Sequence, residues 1–283
     1  MILDDLATFA SYTPEGLNRV RTACLTVATV LGDLMEEEIT IVGGLVPSLI
    51  IDQENLPEGA DRHPGTMDLD LALQLAVLEE SGYKEISERL REAGFEPDRS
   101  NAANPTVQRW VVGGGDNGRV TVDFLIPPVD GSRRSSQIFH LEGDFGAIVS
   151  PGLDLAFEDR MIRRLDGSNL RGDLLTRDVW VCGPGALVVL KALACRGREK
   201  PKDAYDLFYV LRNYGTGPAE VAERLRPYME HTAVGRAREI LASDFADERR
   251  TGPRRVARFL GTDDDDALKA EVVAFVSAFL DAL

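Results

Sequence analysis

The sequence predicts an α+β fold: a β-sheet core with flanking helices over residues 1–180, followed by a helical part over 181–283. Two observations carry this. Before residue 180, short segments such as Thr66–Leu73 and Arg119–Ile126 alternate apolar and polar residues at period two, with Gly- and Pro-containing loops between them. From Gly183 onward the period becomes helical, and Pro184 and Pro201 stand at the starts of apolar stripes. No internal repeat is detectable.

Taken in order, Thr13-Pro14 opens a helix expected to run to about Glu38, with Leu17, Val20, Cys24, Val27, Leu31 and Leu34 inward. A strand over Ile39–Val42 ends at Gly43-Gly44, a tight turn into a short helix through Ile51 that tolerates Pro47 in its first turn. A polar loop spans 52–65, and a strand spans 67–73. Residues 83–93 form a helix with Ile86 and Leu90 inward, and residues 107–112 and 119–126 flank a glycine-rich hairpin loop. The pattern over 127–160 yields only short strand-like pieces. Helices follow at Pro184, at Pro201, and over 217–229, 232–244 and 264–282, the last with Asp263–Asp266 capping its start.

Composition narrows the functional classes. The chain has 283 residues, 44% hydrophobic and 28% charged, which suits one large or two smaller globular domains. Its apolar runs are too short to span a bilayer and its start lacks a basic signal region, so a cytoplasmic chain with no membrane partner is expected. A formal charge of −15 argues against nonspecific coating of nucleic acid. Arg160, Arg163 and Arg164, and then Arg249, Arg250, Arg254, Arg255 and Arg258, form two basic clusters that read equally well as solvated faces. Three cysteines and three histidines lack metal-ligand spacing, so any metal chemistry rests on oxygen ligands, which favours magnesium or manganese over zinc.

Three carboxylates carry the candidate chemistry. On a strand over 67–73, Asp68 and Asp70 share a face, roughly 7 Å apart, with Met67, Leu69, Leu71 and Leu73 opposite. Adjacent carboxylates repel, and a divalent cation between them relieves this; an Asp-x-Asp on a half-exposed strand also serves as a plain solvated face. Asp123 is the third, pointing away from the apolar side of its own strand (Val120, Val122, Phe124, Ile126). Backbone amides after Gly43-Gly44 are suited to cradling phosphate oxygens, although most such pairs are simple turns.

A strand, Gly-Gly, a short helix, Asp-Leu-Asp on the next strand and a later strand Asp together resemble the nucleotidyltransferase core of the DNA polymerase β superfamily. Downstream, Lys191 followed by Lys202, Asp203, Asp206 and Leu207 resembles the Lys-then-Lys-Asp-x-x-Asp-Leu signature of AbiEii and MenT nucleotidyltransferases, toxins of type IV toxin–antitoxin systems. The resemblance spans about residues 39–214. It implies a nucleotidyltransferase-type mixed sheet and transfer of a nucleoside monophosphate from a nucleoside triphosphate (NTP) to an acceptor hydroxyl, most consistently the 3′ end of tRNA. Asp68, Asp70 and Asp123 are then the metal ligands for Mg2+ or Mn2+. Gly43, Gly44 and Ser48 contact phosphates, and Lys191 is their charge partner; Asp206 orients Lys191 or binds substrate, or forms a helix-to-helix salt bridge with Lys191 or Arg198. For Asp203, compensation of the helix dipole explains the residue equally well.

Arg62 resembles a family arginine ahead of the Thr-x-Asp motif that binds triphosphate, although the interval from Gly44 to Asp68 is longer than in minimal members. Thr66 matches a position that the cognate antitoxin of MenT-type relatives phosphorylates, and charge added beside the aspartates would block the site. Two further readings remain from the sequence: the same chemistry on a small-molecule acceptor, as in aminoglycoside nucleotidyltransferases, and a catalytically inactive nucleotide- or partner-binding module. The Lys191 to Asp206 signature speaks against the first, and the presence of all three carboxylates against the second.

Overall fold

The structure, a computed structural model, describes residues 7–74, 80–99, 104–113, 118–128, 137–142 and 145–283. The chain divides into two compact units. One comprises Pro14–Leu45 and Thr66–Cys182 and holds every described strand; the other is helical and comprises the stretch up to Thr13, Val46–Gly65 and Gly183–Leu283. The sequence groups residues 1–180 together, whereas in the structure Val46–Gly65 and the beginning of the chain cluster with the C-terminal helices.

In the sheet unit, α1 (Pro14–Leu31) is followed by α2 (Asp33–Glu37) and β1 (Ile39–Val42). The single long helix expected to Glu38 is broken because Gly32 takes φ 52°, a left-handed conformation that interrupts the helical ladder. After the helical unit's α3 (Pro47–Ile50) come β2 (Asp68–Leu73), α4 (Glu80–Glu92), β3 (Glu96–Arg99), β4 (Pro105–Gly113) and β5 (Arg119–Ile126). Most of the glycine-rich loop, 114–117, lies outside the described residues; the strands flanking it pair antiparallel, with Gly113 opposite Arg119. The stretch that sequence patterning leaves unassigned folds as β6 (Ile138–Glu142), β7 (Phe145–Val149), α5 (Leu155–Glu158) and the start of β8 (Arg160–Ser168), which pairs with β9 (Leu174–Cys182).

The sheet is mixed. Its main path runs β3-β4-β5-β2-β1-β9-β8, with β7 pairing to β5 and β6 to β7. The β2–β5 pairing is parallel and aligns Asp70 with Asp123 and Asp68 with Thr121; β4 runs antiparallel to β5 and sets Arg109 opposite Asp123. Leu69, Leu71, Val122, Phe124 and Ile126 are fully buried, and α1 packs onto the sheet through Val20, Cys24, Val27 and Leu31. Each such side chain contributes about 1.5–3 kcal/mol through burial, enough to hold the register that brings the polar residues into line. Met67, expected on the apolar side, precedes the strand and is 39% exposed.

The helical unit contains α6 (Pro184–Gly197), α7 (Pro201–Asn213), α8 (Pro218–Leu225), α9 (Thr232–Asp244), α10 (Thr251–Leu260) and α11 (Asp266–Ala282). Here α7 packs on α6, α10 and α11, and Asp265 caps α11 by accepting from the Leu268 amide at 2.9 Å. The helix at Thr251–Leu260 is not foreseen from the sequence: its Arg-rich face reads as a charge cluster, yet Val256, Ala257 and Phe259 are buried. Cys24, Cys182 and Cys195 are buried thiols. No described helix is long and apolar enough to cross a membrane.

Candidate functional site

The alternation of β2 buries Leu69 and Leu71 on one face and leaves Asp68 and Asp70 half-buried on the other. Register then adds neighbours. In the row across β4, β5 and β2, Arg109, Asp123 and Asp70 stand side by side; in the next row, Thr121 donates its hydroxyl to an Asp68 oxygen. Asp123 is 5% exposed and accepts from Arg109 through both oxygens, Nε to Oδ1 at 2.7 Å and Nη2 to Oδ2 at 2.6 Å. Burial pushes the Asp123 carboxyl above the usual carboxylate range, opposed by the Arg109 hydrogen bond and charge.

Gly43 shapes this row from the turn that follows β1. It takes φ 75°, and a Cβ placed there would lie 1.9 Å from Asp70 Oδ2 and 2.7 Å from its Cγ. The glycine is therefore needed to let a carboxylate close against the backbone, a requirement distinct from a phosphate cradle. Gly44 lies in the short 3₁₀ turn Gly43–Leu45 and is buried. Gly43→Ala is expected to cost about 1–3 kcal/mol of stability and to displace Asp70, lowering activity as well; thermal unfolding and a transfer assay on one preparation check this, and unchanged values in both would refute the close-approach role.

All three carboxylates offer oxygen donors, the set taken by a hard divalent cation such as magnesium or manganese. Among the described residues, no three His, Cys, Asp or Glu side chains form a group that could hold a metal ion. The donor chemistry fits such a cation, and Arg109 occupies both oxygens of Asp123.

A second cluster lies in the helical unit. Lys191 on α6 is buried, with Nζ at 2.9 Å from Asp203 Oδ1 and 2.7 Å from Asp206 Oδ2. Asp206 Oδ1 also takes Lys202 Nζ at 2.6 Å and His63 Nε2 at 3.0 Å, while Asp203 accepts from Arg198 Nε at 2.7 Å. Helical spacing explains part of this, because Lys202 and Asp206 are i and i+4 on α7. Asp203, for which dipole compensation would suffice, is 1% exposed and bridges two cations; Lys191 and Arg198 hold it well below the usual carboxylate range against the opposing effect of burial. Burial pulls Lys202 down to about 8 despite its ion pair.

His63 is the residue that sequence reading passes over. It comes from the loop after α3, and its ring stacks against Tyr205 and meets Tyr209 edge-on. Its Nδ1 accepts from the Gly65 amide at 3.2 Å, so the proton sits on Nε2 and is donated to Asp206. Burial, with Lys202 nearby, brings this imidazole down to about 4. The fold holds it neutral, whereas an unfolded chain takes up the proton near 6.5. Stability present above that pH is therefore lost as pH falls towards 4, by about 3 kcal/mol. Urea midpoints between pH 7 and 4.5 check this, and His63→Gln is expected to flatten the decline; parallel curves for the two proteins would refute it.

Ser48 is buried on α3, and Arg62 is exposed and paired with Glu54 at 2.7 Å. Thr66 is buried, and its hydroxyl accepts from the Asp68 amide at 3.3 Å. Lys202, Arg109 and Thr121 join His63 as residues missed as site candidates by sequence reading. Of these, Thr121 carried a signal, since period two puts it on the face of Asp123, and so did Lys202, which stands in the Lys-Asp-x-x-Asp-Leu signature.

A mixed sheet carrying Asp68, Asp70 and Asp123 in one unit, and a buried Lys–Asp cluster in the other, define an α+β protein. The AbiEii nucleotidyl transferase toxin family of type IV toxin–antitoxin systems matches residues 65–282, and the chain belongs to that family. A comparison with curated proteins finds no match.

Proposed function

We propose that this nucleotidyltransferase toxin transfers a nucleoside monophosphate from an NTP to the 3′ end of tRNA, using Mg2+ or Mn2+ at Asp68, Asp70 and Asp123. The observation that carries the reading is the register that aligns Asp70 with Asp123 on neighbouring strands, with Asp68 on the same face. A bound divalent cation would supply charge neutralisation of the triphosphate. The acceptor oxygen bonds to the α-phosphorus, the bond to the pyrophosphate oxygen breaks, and the hydroxyl proton passes to a neighbouring carboxylate. Gly43 and Gly44 shape the site beside Asp70, while Ser48, Arg62 and Lys191 are proposed to meet the phosphates.

In the helical unit, three cationic side chains (Lys191, Arg198 and Lys202) meet two carboxylates, with His63 neutral, which leaves one net positive charge suited to an anionic substrate. Asp206 orients Lys191 there. Blocking of tRNA ends would account for growth inhibition, and a cognate antitoxin is the expected partner. Phosphorylation of Thr66 by that antitoxin is part of the proposal. Its hydroxyl is buried, so modification requires local opening. Mass spectrometry of Thr66 after co-expression with the neighbouring gene product tests this; an unmodified Thr66 in a silenced enzyme would sink it.

The reaction itself is tested by incubating the protein with magnesium, each radiolabelled NTP in turn and total tRNA, beside Asp70→Ala. Label entering tRNA only with the native chain is the expected result. Label in the tRNA of both samples, or in neither, would count against it.

A further inference from the structure

We propose that Arg109 is a substrate-phosphate ligand held in reserve on Asp123, released when a divalent cation takes that carboxylate. The inference rests on the nucleotidyltransferase reading of the aspartate row and adds to it a residue outside the motifs that define the row.

The geometry is specific. Arg109 meets Asp123 through two parallel hydrogen bonds at 2.7 and 2.6 Å, the fork-to-carboxylate arrangement in which a guanidinium neutralises both oxygens at once. The same two oxygens are the ones a cation would need. A guanidinium and a divalent cation therefore compete for one carboxylate.

Burial distinguishes the partners. Asp123 has a side chain 7% exposed, whereas that of Arg109 is 41% exposed and reaches the pair from the open side. Asp123 is enclosed, whereas Arg109 keeps solvent access. Asp68 and Asp70 also act on the guanidinium, favouring its charged form. A cation held by the row would offset that attraction, and Arg109, freed from Asp123, would then be available to bind phosphate oxygens. Guanidinium groups bind phosphate oxygens with the same two-pronged geometry they use for carboxylate. A purely structural Arg109, by contrast, would serve only to neutralise Asp123.

The two roles differ in the sign of a measurement. Mn2+ binding followed by electron paramagnetic resonance on the full chain, without nucleotide, reads the competition. Arg109→Gln is expected to bind Mn2+ about tenfold more tightly, because no charge-assisted pair has to be broken. Inorganic tripolyphosphate, titrated at saturating Mn2+, reads the second half, and the same variant is expected to bind it about tenfold more weakly. Arg109→Lys keeps the charge but loses the fork, and is expected to shift both affinities the same way by less. It carries the test should the Gln variant fail to fold. Opposite shifts support the proposal. Unchanged or weaker Mn2+ binding, or tripolyphosphate binding that does not fall, overturns it.

Asp70→Asn separates the layers. If it weakens Mn2+ binding while Arg109→Gln does not strengthen it, the aspartate row stands and only the role of Arg109 falls. If Mn2+ binding is indifferent to Asp70→Asn, the reading of the row falls and the Arg109 proposal with it.

Discussion

Asp206→Ala is expected to lower stability by about 3–5 kcal/mol, the cost of removing one partner from a buried ion pair. Asp206 is fully buried, and Lys191, Lys202 and His63 all converge on it. Lys191 would keep Asp203 at 2.9 Å. Lys202 would keep only the face of Tyr12, 5.4 Å away, and would have to shed its proton or carry an uncompensated charge in an enclosed site. A double variant with Lys202→Met is therefore expected to recover part of the loss, since the second change removes the stranded cation. Chemical denaturation of the single and double variants decides the matter. A loss below about 1 kcal/mol for Asp206→Ala would mean that water or rearrangement satisfies the lysines, and that the cluster does not organise the helical unit.

The second large effect is on activity. Asp70→Ala is expected to reduce nucleotide transfer by about 10³-fold or more, as loss of a main charge-positioning group in phosphoryl chemistry does. Stability should change far less than for Asp206→Ala, because Asp70 is half-buried and stands beside two other carboxylates, whose repulsion its removal relieves. That split between activity and stability is the informative result. A variant that loses both together would show Asp70 to be part of the framework, and one that retains activity would remove the aspartate row from the reaction.

The pairing of these two predictions follows from the division of the molecule. In the sheet unit Asp68 and Asp70 sit at a partly open face beside the buried Asp123, and backbone register spaces them. In the helical unit Lys191, Lys202, Asp203 and Asp206 are buried and spaced by side-chain contact. Substitution at the half-buried Asp68 and Asp70 is therefore expected to cost less stability than substitution in the buried cluster.

Period two alone puts Asp68 and Asp70 on one face, and Val120, Val122, Phe124 and Ile126 opposite Asp123. The helix starts at Pro184 and Pro201 follow from the fixed φ of proline, and the buried stripe of α1 follows from its period. These are local properties, set by stereochemistry over a few residues, and the chain carries them wherever it goes. Other features depend on partners far away in the chain. The alignment of Asp70 with Asp123 needs the parallel β2–β5 register, and the pairing of Arg109 with Asp123 needs the β4–β5 register. Neither His63 nor Asp206 has any sequence mark that foretells the other, since they stand 143 positions apart.

The break at Gly32 shows the limit from the other side. A glycine is tolerated within a helical pattern, and only the packing of the segments around it selects the positive φ that ends α1. The Arg-rich stretch in α10 is similar: its charges dominate the sequence, but Phe259 and Val256 decide how it packs. By itself, then, the sequence determined which side chains share a face and where the chain must turn, because those follow from backbone geometry within one element. Tertiary structure alone decided which charges meet. A contact between remote residues exists only once burial of the apolar faces has set the register and packing that bring them within hydrogen-bond distance.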